Sequence, residues 1–169
     1  MTRNESSRLS TERKWGMQAL ELRVPPPVVA LLIAGAMWGI SLADSPSEAF
    51  NALHMAAAAG IALFGGCISF SGILAFRRAR TTVSPLQPER TSALVATGMY
   101  RFTRHPMYLG LLITLFAWSI FLLSPWSVVG PLIFVIYIDR FQIAPEERVL
   151  SALFGPDYAD YCARVRRWF

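Results

Sequence analysis

Apolar residues gather into four long runs, Pro27–Ala43, Ala52–Phe76, Tyr108–Leu123 and Trp126–Ile138, while the charged residues collect at the ends of those runs. A helix needs roughly 20 apolar residues to cross the hydrocarbon core of a bilayer. The pattern therefore predicts an all-α, polytopic membrane protein with about four transmembrane helices, of which the last two must borrow flanking residues. Composition agrees, with 54% of residues hydrophobic and 16% charged, unlike the balance of a soluble domain. A buried soluble hairpin would account for two such runs but not for four. Leu123-Ser124-Pro125-Trp126 is a tight polar break. It makes the third and fourth runs a hairpin, with Pro125 stopping one helix and Trp126 at the interface.

Basic residues set the orientation, because they favour the cytoplasmic side. Arg3, Arg8, Arg13, Lys14 and Arg23 precede the first run, Arg77, Arg78 and Arg80 follow the second, and Arg164, Arg166 and Arg167 end the chain. The connection between runs one and two carries Asp44 and Glu48 and no basic residue. Both termini and the loop Arg77–His105 are thus expected in the cytoplasm, in a multi-pass protein of a prokaryotic inner membrane. Topology and anionic lipid headgroups explain the net charge of +5, so nucleic acid is not needed as a partner. The polar leader has no Ala-x-Ala-like cleavage site close behind the first run, which is read as a retained anchor. Three regions follow: a cytoplasmic tail over residues 1–26, a two-helix membrane anchor over 27–80, and a core over 81–169.

Within the anchor, Ala56-Ala57-Ala58-Ala59-Gly60 and Gly65-Gly66 are small residues that let helix backbones approach closely in lipid. Cys67 lies inside the second run and Cys162 near the cytoplasmic terminus. Neither a disulfide nor a metal site is expected from them. Residues Met1–Glu21 show no period, and Thr81–Pro88 is too proline-spaced for a helix and reads as extended. Gly98 closes the mildly apolar piece after it, where glycine permits a turn or a close approach to a ligand.

Two polar clusters carry the chemistry. Arg104-His105-Pro106-Met107-Tyr108-Leu109-Gly110 leads directly into the third run, and ionisable groups at the mouth of a membrane helix are costly enough to imply a role. Pro106 suits a first helical turn and leaves Arg104 and His105 at the amino end. Exposed amides, the helix dipole and a bidentate arginine there favour a carboxylate or phosphate; a headgroup-binding arginine with an interfacial histidine is the plain alternative. The second cluster, Asp139-Arg140-Phe141-Gln142-Ile143-Ala144-Pro145-Glu146-Glu147-Arg148, follows the fourth run. The hairpin returns it to the same membrane face, so the clusters can meet. Glu146 and Glu147 by themselves could be solvated charges at a helix start. Beside the basic cluster they become candidates for holding a cationic ligand.

Gly98-x-Tyr100, Arg104-His105-Pro106-x-Tyr108-x-Gly110, Glu146-Glu147, Phe154-Gly155, Tyr158, Tyr161 and Val165-Arg166-Arg167 occur in that order. This combination resembles the isoprenylcysteine carboxyl methyltransferase and phospholipid methyltransferase superfamily of integral membrane enzymes, over roughly Thr81 to Phe169. The resemblance implies S-adenosylmethionine as methyl donor in a cytoplasmic-side pocket lined by Leu94, Val95, Gly98, Tyr100, His105, Pro106, Met107, Tyr108 and Glu146. The donor bears a carboxylate, an ammonium and a sulfonium. Arg104 or the helix start suits the first, and Glu146 suits the ammonium or ribose.

In the eukaryotic isoprenylcysteine enzymes an arginine four places before the first glutamate holds the substrate carboxylate. Here that position is Gln142, and Arg140 lies two residues earlier, displaced around a helix. Arg140 and Gln142 are thus the residues on which the acceptor turns, and prenylcysteine is not the expected substrate. Methyl transfer from a sulfonium is an in-line displacement that positioning and water exclusion promote. A carboxylate acceptor needs only orientation, whereas an amine or thiol must lose a proton, for which His105 or Glu147 could serve. The reading is a membrane methyltransferase acting on a lipophilic or small acceptor that enters from the bilayer. Its rivals are a phospholipid amine N-methyltransferase, a small-thiol S-methyltransferase and, in another class, a non-catalytic membrane scaffold.

Overall fold

Pro26 opens the first helix, α1 (Pro26–Ser41), where its missing N–H deprives the helix of nothing. Asn51 caps α2 (Ala52–Arg78) by accepting a 3.0 Å hydrogen bond from the amide of His54. α3 (Pro106–Leu122) again starts on a proline and stops at Leu123, which turns into the left-handed region at φ 53°. A 3-10 turn at Pro125–Val128 then leads into α4 (Val129–Ile138) and α5 (Ala144–Arg164). These elements come from a computed structural model that describes residues 24–44, 51–79 and 94–169. The expectations for Met1–Glu21, for Glu48 and for Thr81–Pro88 fall outside those residues.

The described residues are helices and connections without strands, as the apolar runs require. Two of the helical stretches are long and apolar enough to cross a membrane, Ala52–Arg78 and the continuous run Pro125–Arg164, and α1 and α3 are shorter apolar helices. That continuous run departs from the expectation that the fourth apolar segment closes at Ile138. Nothing between Ile138 and Ala144 breaks a helix, so the backbone continues through one widened π turn, Asp139–Ile143. Pro145 follows directly, and the π turn absorbs the intrahelical hydrogen bond that its missing N–H cannot make. Further along, Gly155 at φ 49° and ψ −120° kinks α5 ahead of Pro156.

Antiparallel contact between α2 and α3 organises the bundle. A Cβ added to Gly110 would meet the Gly65 carbonyl and the Ser69 side chain and amide. The backbones therefore touch, and Ser69 Oγ donates to the Met107 carbonyl at 3.0 Å across the seam. At the far end His54 Nε2 lies 2.6 Å from the Ile120 carbonyl. Not every small residue serves this contact: Gly60 and Gly66 face open space, and of Ala56–Ala59 only Ala58 is buried. α1 leans on the hairpin, with Trp118 Nε1 donating 3.0 Å to the Ala34 carbonyl and Met37 filling the notch above Gly130. Val29, Met37, Tyr108, Leu115, Phe134 and Ile138 belong to the main core. Outside it, α1, α2 and α3 diverge around an apolar cavity of about 730 Å³ lined by Ala30, Ala34, Ala58, Ala62, Leu115 and Trp118 among others.

Because α2 and α3 run antiparallel, Arg77 and Arg78 end at the level where α3 begins. The amide of Arg104 donates 3.0 Å to the Arg166 carbonyl, so the C-terminal basic residues join them. Asp44 and Asn51 mark the opposite end. The hairpin brings the start of α3 and the start of α5 together, as the order of the runs implied.

Candidate functional site

The site grows from the turn before α3. Gly98 takes φ +62° to open the 3-10 turn Gly98–Arg101, a conformation that glycine adopts freely. Tyr100 is thereby driven inward, edge-on against Phe76 at 5.3 Å between ring centroids. Its carbonyl accepts a 2.8 Å hydrogen bond from Tyr161 Oη. Burial and then the neighbouring Glu146 carboxylate push the Tyr100 phenol up, so it stays a neutral hydroxyl. Val95 packs with Ala75 and Tyr100, and Leu94 packs against Tyr158, Tyr161 and Val165.

Pro106 then begins α3 behind His105, and by helix geometry the amides of Met107 and Tyr108 have no intrahelical acceptor. Met107 lies against Gly72 of α2. His105 is 5% exposed and stacks on Tyr108, the rings 5.5 Å apart and 6° from parallel. Tyr108 Oη donates to Glu146 Oε2 at 3.0 Å. His105 Nδ1 lies 3.8 Å from Glu146 and its Nε2 3.6 Å from Glu147. Arg104 Nη1 stands 2.9 Å from Glu147 Oε1 and 2.8 Å from Cys162 Sγ. Arg104 Nε and His105 Nε2 are buried without a hydrogen-bond partner.

The two adjacent glutamates are in opposite electrostatic states. Burial pushes the Glu146 carboxyl up, and His105 and Tyr108 only partly offset it. Burial also opposes the charge on Glu147, but the nearby His105 ring, the hydrogen bonds from Arg167 and the two guanidinium charges win and hold it at about 2. Arg167 grips Glu147 in a bidentate pair, Nη2 to Oε2 at 2.6 Å and Nε to Oε1 at 3.2 Å, while Nη1 reaches Asp139 Oδ2 at 3.3 Å. The same grip raises the guanidinium's own proton affinity.

Arg104, His105, Tyr108, Glu146 and Glu147 thus converge, with Tyr100 and Met107 beside them. Arg140 and Gln142 do not join them in this way. Arg140 is exposed, its guanidinium 5.9 Å from the Phe141 ring. Gln142 is fully buried, Nε2 donating 2.8 Å to the Val24 carbonyl ahead of α1. The place of Arg167 was not legible beforehand, since the sequence offered it as one of a basic cluster. Its only signal was spacing, Val165-Arg166-Arg167 after Tyr161 at the end of the motif series.

The sequence profile of phospholipid methyltransferases matches residues 53–157, more than half the chain and both clusters. The chain belongs to the phospholipid methyltransferase family. It is 30% identical over 106 residues to protein-S-isoprenylcysteine O-methyltransferase B of Arabidopsis thaliana, covering 61% of this chain and 52% of the plant protein. It is 41% identical over 71 residues to methanethiol S-methyltransferase 1 of Bradyrhizobium diazoefficiens, covering 40% of this chain and 22% of that one. An uncharacterized protein of Haemophilus influenzae is 45% identical over 62 residues, 37% of this chain and 98% of the relative. The chain spans about half the length of the plant relative it matches.

Proposed function

We propose that this family member is an integral membrane methyltransferase that takes its methyl group from S-adenosylmethionine at the junction of α3 and α5. The observation that carries the reading is the juxtaposition of unpartnered donors and a buried carboxylate on one surface. Arg104 Nε, His105 and the first amides of α3 are donors suited to the donor molecule's carboxylate. Glu146, oriented by Tyr108, is the acceptor for its ammonium or ribose. Leu94, Val95, Tyr100, Pro106 and Met107 supply the apolar and aromatic lining, and Gly98 shapes the turn that presents it. When bound, S-adenosylmethionine supplies an electrophilic methyl group on a sulfonium.

Among the described residues the basic clusters Arg77-Arg78 and Arg166-Arg167 lie at the site's end of the bundle, which supports a four-span arrangement with both termini and the pocket on the cytoplasmic side. Residues 81–169 then act as the catalytic core on a two-helix anchor. The protein's part in transfer is to fix the donor in line and to exclude water. If the acceptor must lose a proton, His105 is the better base. Glu147, held at about 2 by the Arg104 and Arg167 guanidiniums, has little appetite for one at neutral pH.

The acceptor is lipophilic or small, and the cavity of about 730 Å³ beside α3 suits a hydrocarbon tail. A thiol is the second reading, because Gln142 is neutral, buried and tied to Val24 where a carboxylate would need a cation. Purified protein incubated with methyl-labelled donor and, in parallel, membrane lipid extract, a farnesylcysteine analogue and a short thiol decides the class. Label is expected in the lipid or thiol pool. Label chiefly in the farnesylcysteine ester overturns the acceptor reading, and a bound donor with no label in any pool returns the protein to a scaffold.

A further inference from the structure

Glu147 is crowded by more nitrogen donors than one carboxylate needs. From the turn before α3 come Arg104 at 2.9 Å and His105 Nε2 at 3.6 Å, and from the C-terminal segment comes the bidentate Arg167. Glu146 is its neighbour on the same helix, Tyr158 couples to it electrostatically from the later turns of α5, and Cys162 shares Arg104. Asp139, in the π turn, faces it only through Arg167. The segment bearing Arg167 is itself fastened to the site. Thr103 Oγ1 donates 3.0 Å to the Arg167 carbonyl, the Arg104 amide donates to the Arg166 carbonyl, and Trp168 packs on the main core.

Building on the donor site proposed above, we infer that Arg167 is its positioning residue: by gripping Glu147 and Asp139 together, it keeps Glu147 from capturing Arg104 and His105 outright. A carboxylate has about four lone-pair sites, and two parallel contacts from one guanidinium occupy the strongest geometry. With Arg167 in place, Arg104 reaches Glu147 through a single nitrogen and leaves Nε unspent toward the ligand. Without it, the bidentate place on Glu147 is open to Arg104, whose fork then turns away from the donor's carboxylate. Asp139 loses its partner at the same time, and the start of α5 loses its tie to the π turn.

The test uses calorimetric binding of S-adenosylmethionine to the purified full chain and its variants. Arg167→Met should raise Kd by about tenfold or more, the effect of losing one contact to a charged group, while Arg167→Lys recovers part of it and the charge control Arg164→Gln changes nothing. A pH series separates positioning from mere structure. In the wild type protonation of Glu146 limits binding at acid pH; in Arg167→Met Glu147 has lost its strongest partner and protonates more readily, which releases Arg104, so the loss of affinity relative to the wild type shrinks as the pH falls. Glu147→Gln combined with Arg167→Met should bind better than Arg167→Met alone, because the competing carboxylate is gone. Wild-type binding with an unchanged Kd in Arg167→Met overturns the inference, as does weakened binding whose ratio to the wild type stays the same across the pH series with no recovery in the double variant. Absence of binding by the wild type instead overturns the donor site itself.

Discussion

Tyr108 on α3 and Glu146 on α5 meet through a 3.0 Å hydrogen bond across 38 residues of chain. The contact exists because the hairpin folds the fourth apolar segment back on the third, and it points a buried carboxylate into the space beside His105. Tyr108→Phe keeps the ring that stacks on His105 and removes only the hydroxyl. Loss of a hydrogen bond to a charged group costs roughly 1–3 kcal/mol. S-adenosylmethionine should therefore bind between a few-fold and about a hundredfold more weakly to the variant, with helical content unchanged by circular dichroism.

Glu146 should trade stability for binding. Its carboxyl titrates above the ordinary carboxylate range because it is buried, so between the unfolded and folded values the native state holds the extra proton. Stability then falls as pH rises through that window. Glu147 has the opposite sign: its contribution is complete above the ordinary range and is lost as pH falls toward about 2. Glu146→Gln should accordingly raise the melting temperature at pH 7 by roughly a few degrees while weakening donor binding. A lower melting temperature would show that the charged form is the better-stabilised one.

The α2–α3 seam predicts unequal glycines. Gly110→Ala forces a methyl into the Gly65 carbonyl and Ser69, and overpacking of this kind costs about 1–3 kcal/mol or more. Gly66→Ala meets nothing within 4 Å and should leave stability within about 0.5 kcal/mol. Thermal denaturation in one detergent compares them directly, and equal melting temperatures would contradict the seam.

Topology can be read from two exposed positions at opposite ends of the bundle. With the native cysteines replaced, Ala43→Cys and Ala79→Cys place thiols after α1 and after α2. A membrane-impermeant maleimide applied to intact cells should label the first and not the second. Labelling of both, or of Ala79→Cys alone, would contradict cytoplasmic termini.

Much of this architecture was legible in the residues. The apolar runs marked α1 to α4 to within a few positions, and Leu123-Ser124-Pro125 marked the hairpin, because prolines and polar breaks act locally. Arg104-His105 and Glu146-Glu147 could be paired from topology alone. The continuation past Ile138 was hidden, since a π turn leaves no period of its own in sequence. So was the burial of Gln142, whose partner is the Val24 carbonyl 118 residues away. The division of labour between two adjacent glutamates was equally invisible. It depends on Arg167 arriving from the C-terminal segment, and a basic cluster read for topology does not reveal which of its members turns inward.

The central claim is that α3 and α5 jointly form a methyl-donor site, and calorimetric titration of S-adenosylmethionine into the wild type, His105→Ala and Glu146→Ala tests it most directly. The account predicts binding by the wild type and a loss of roughly 1–3 kcal/mol in each folded variant, as expected for a hydrogen bond to a charged group. Equal affinity in all three proteins would contradict it and move the donor away from the Tyr108–Glu146 contact.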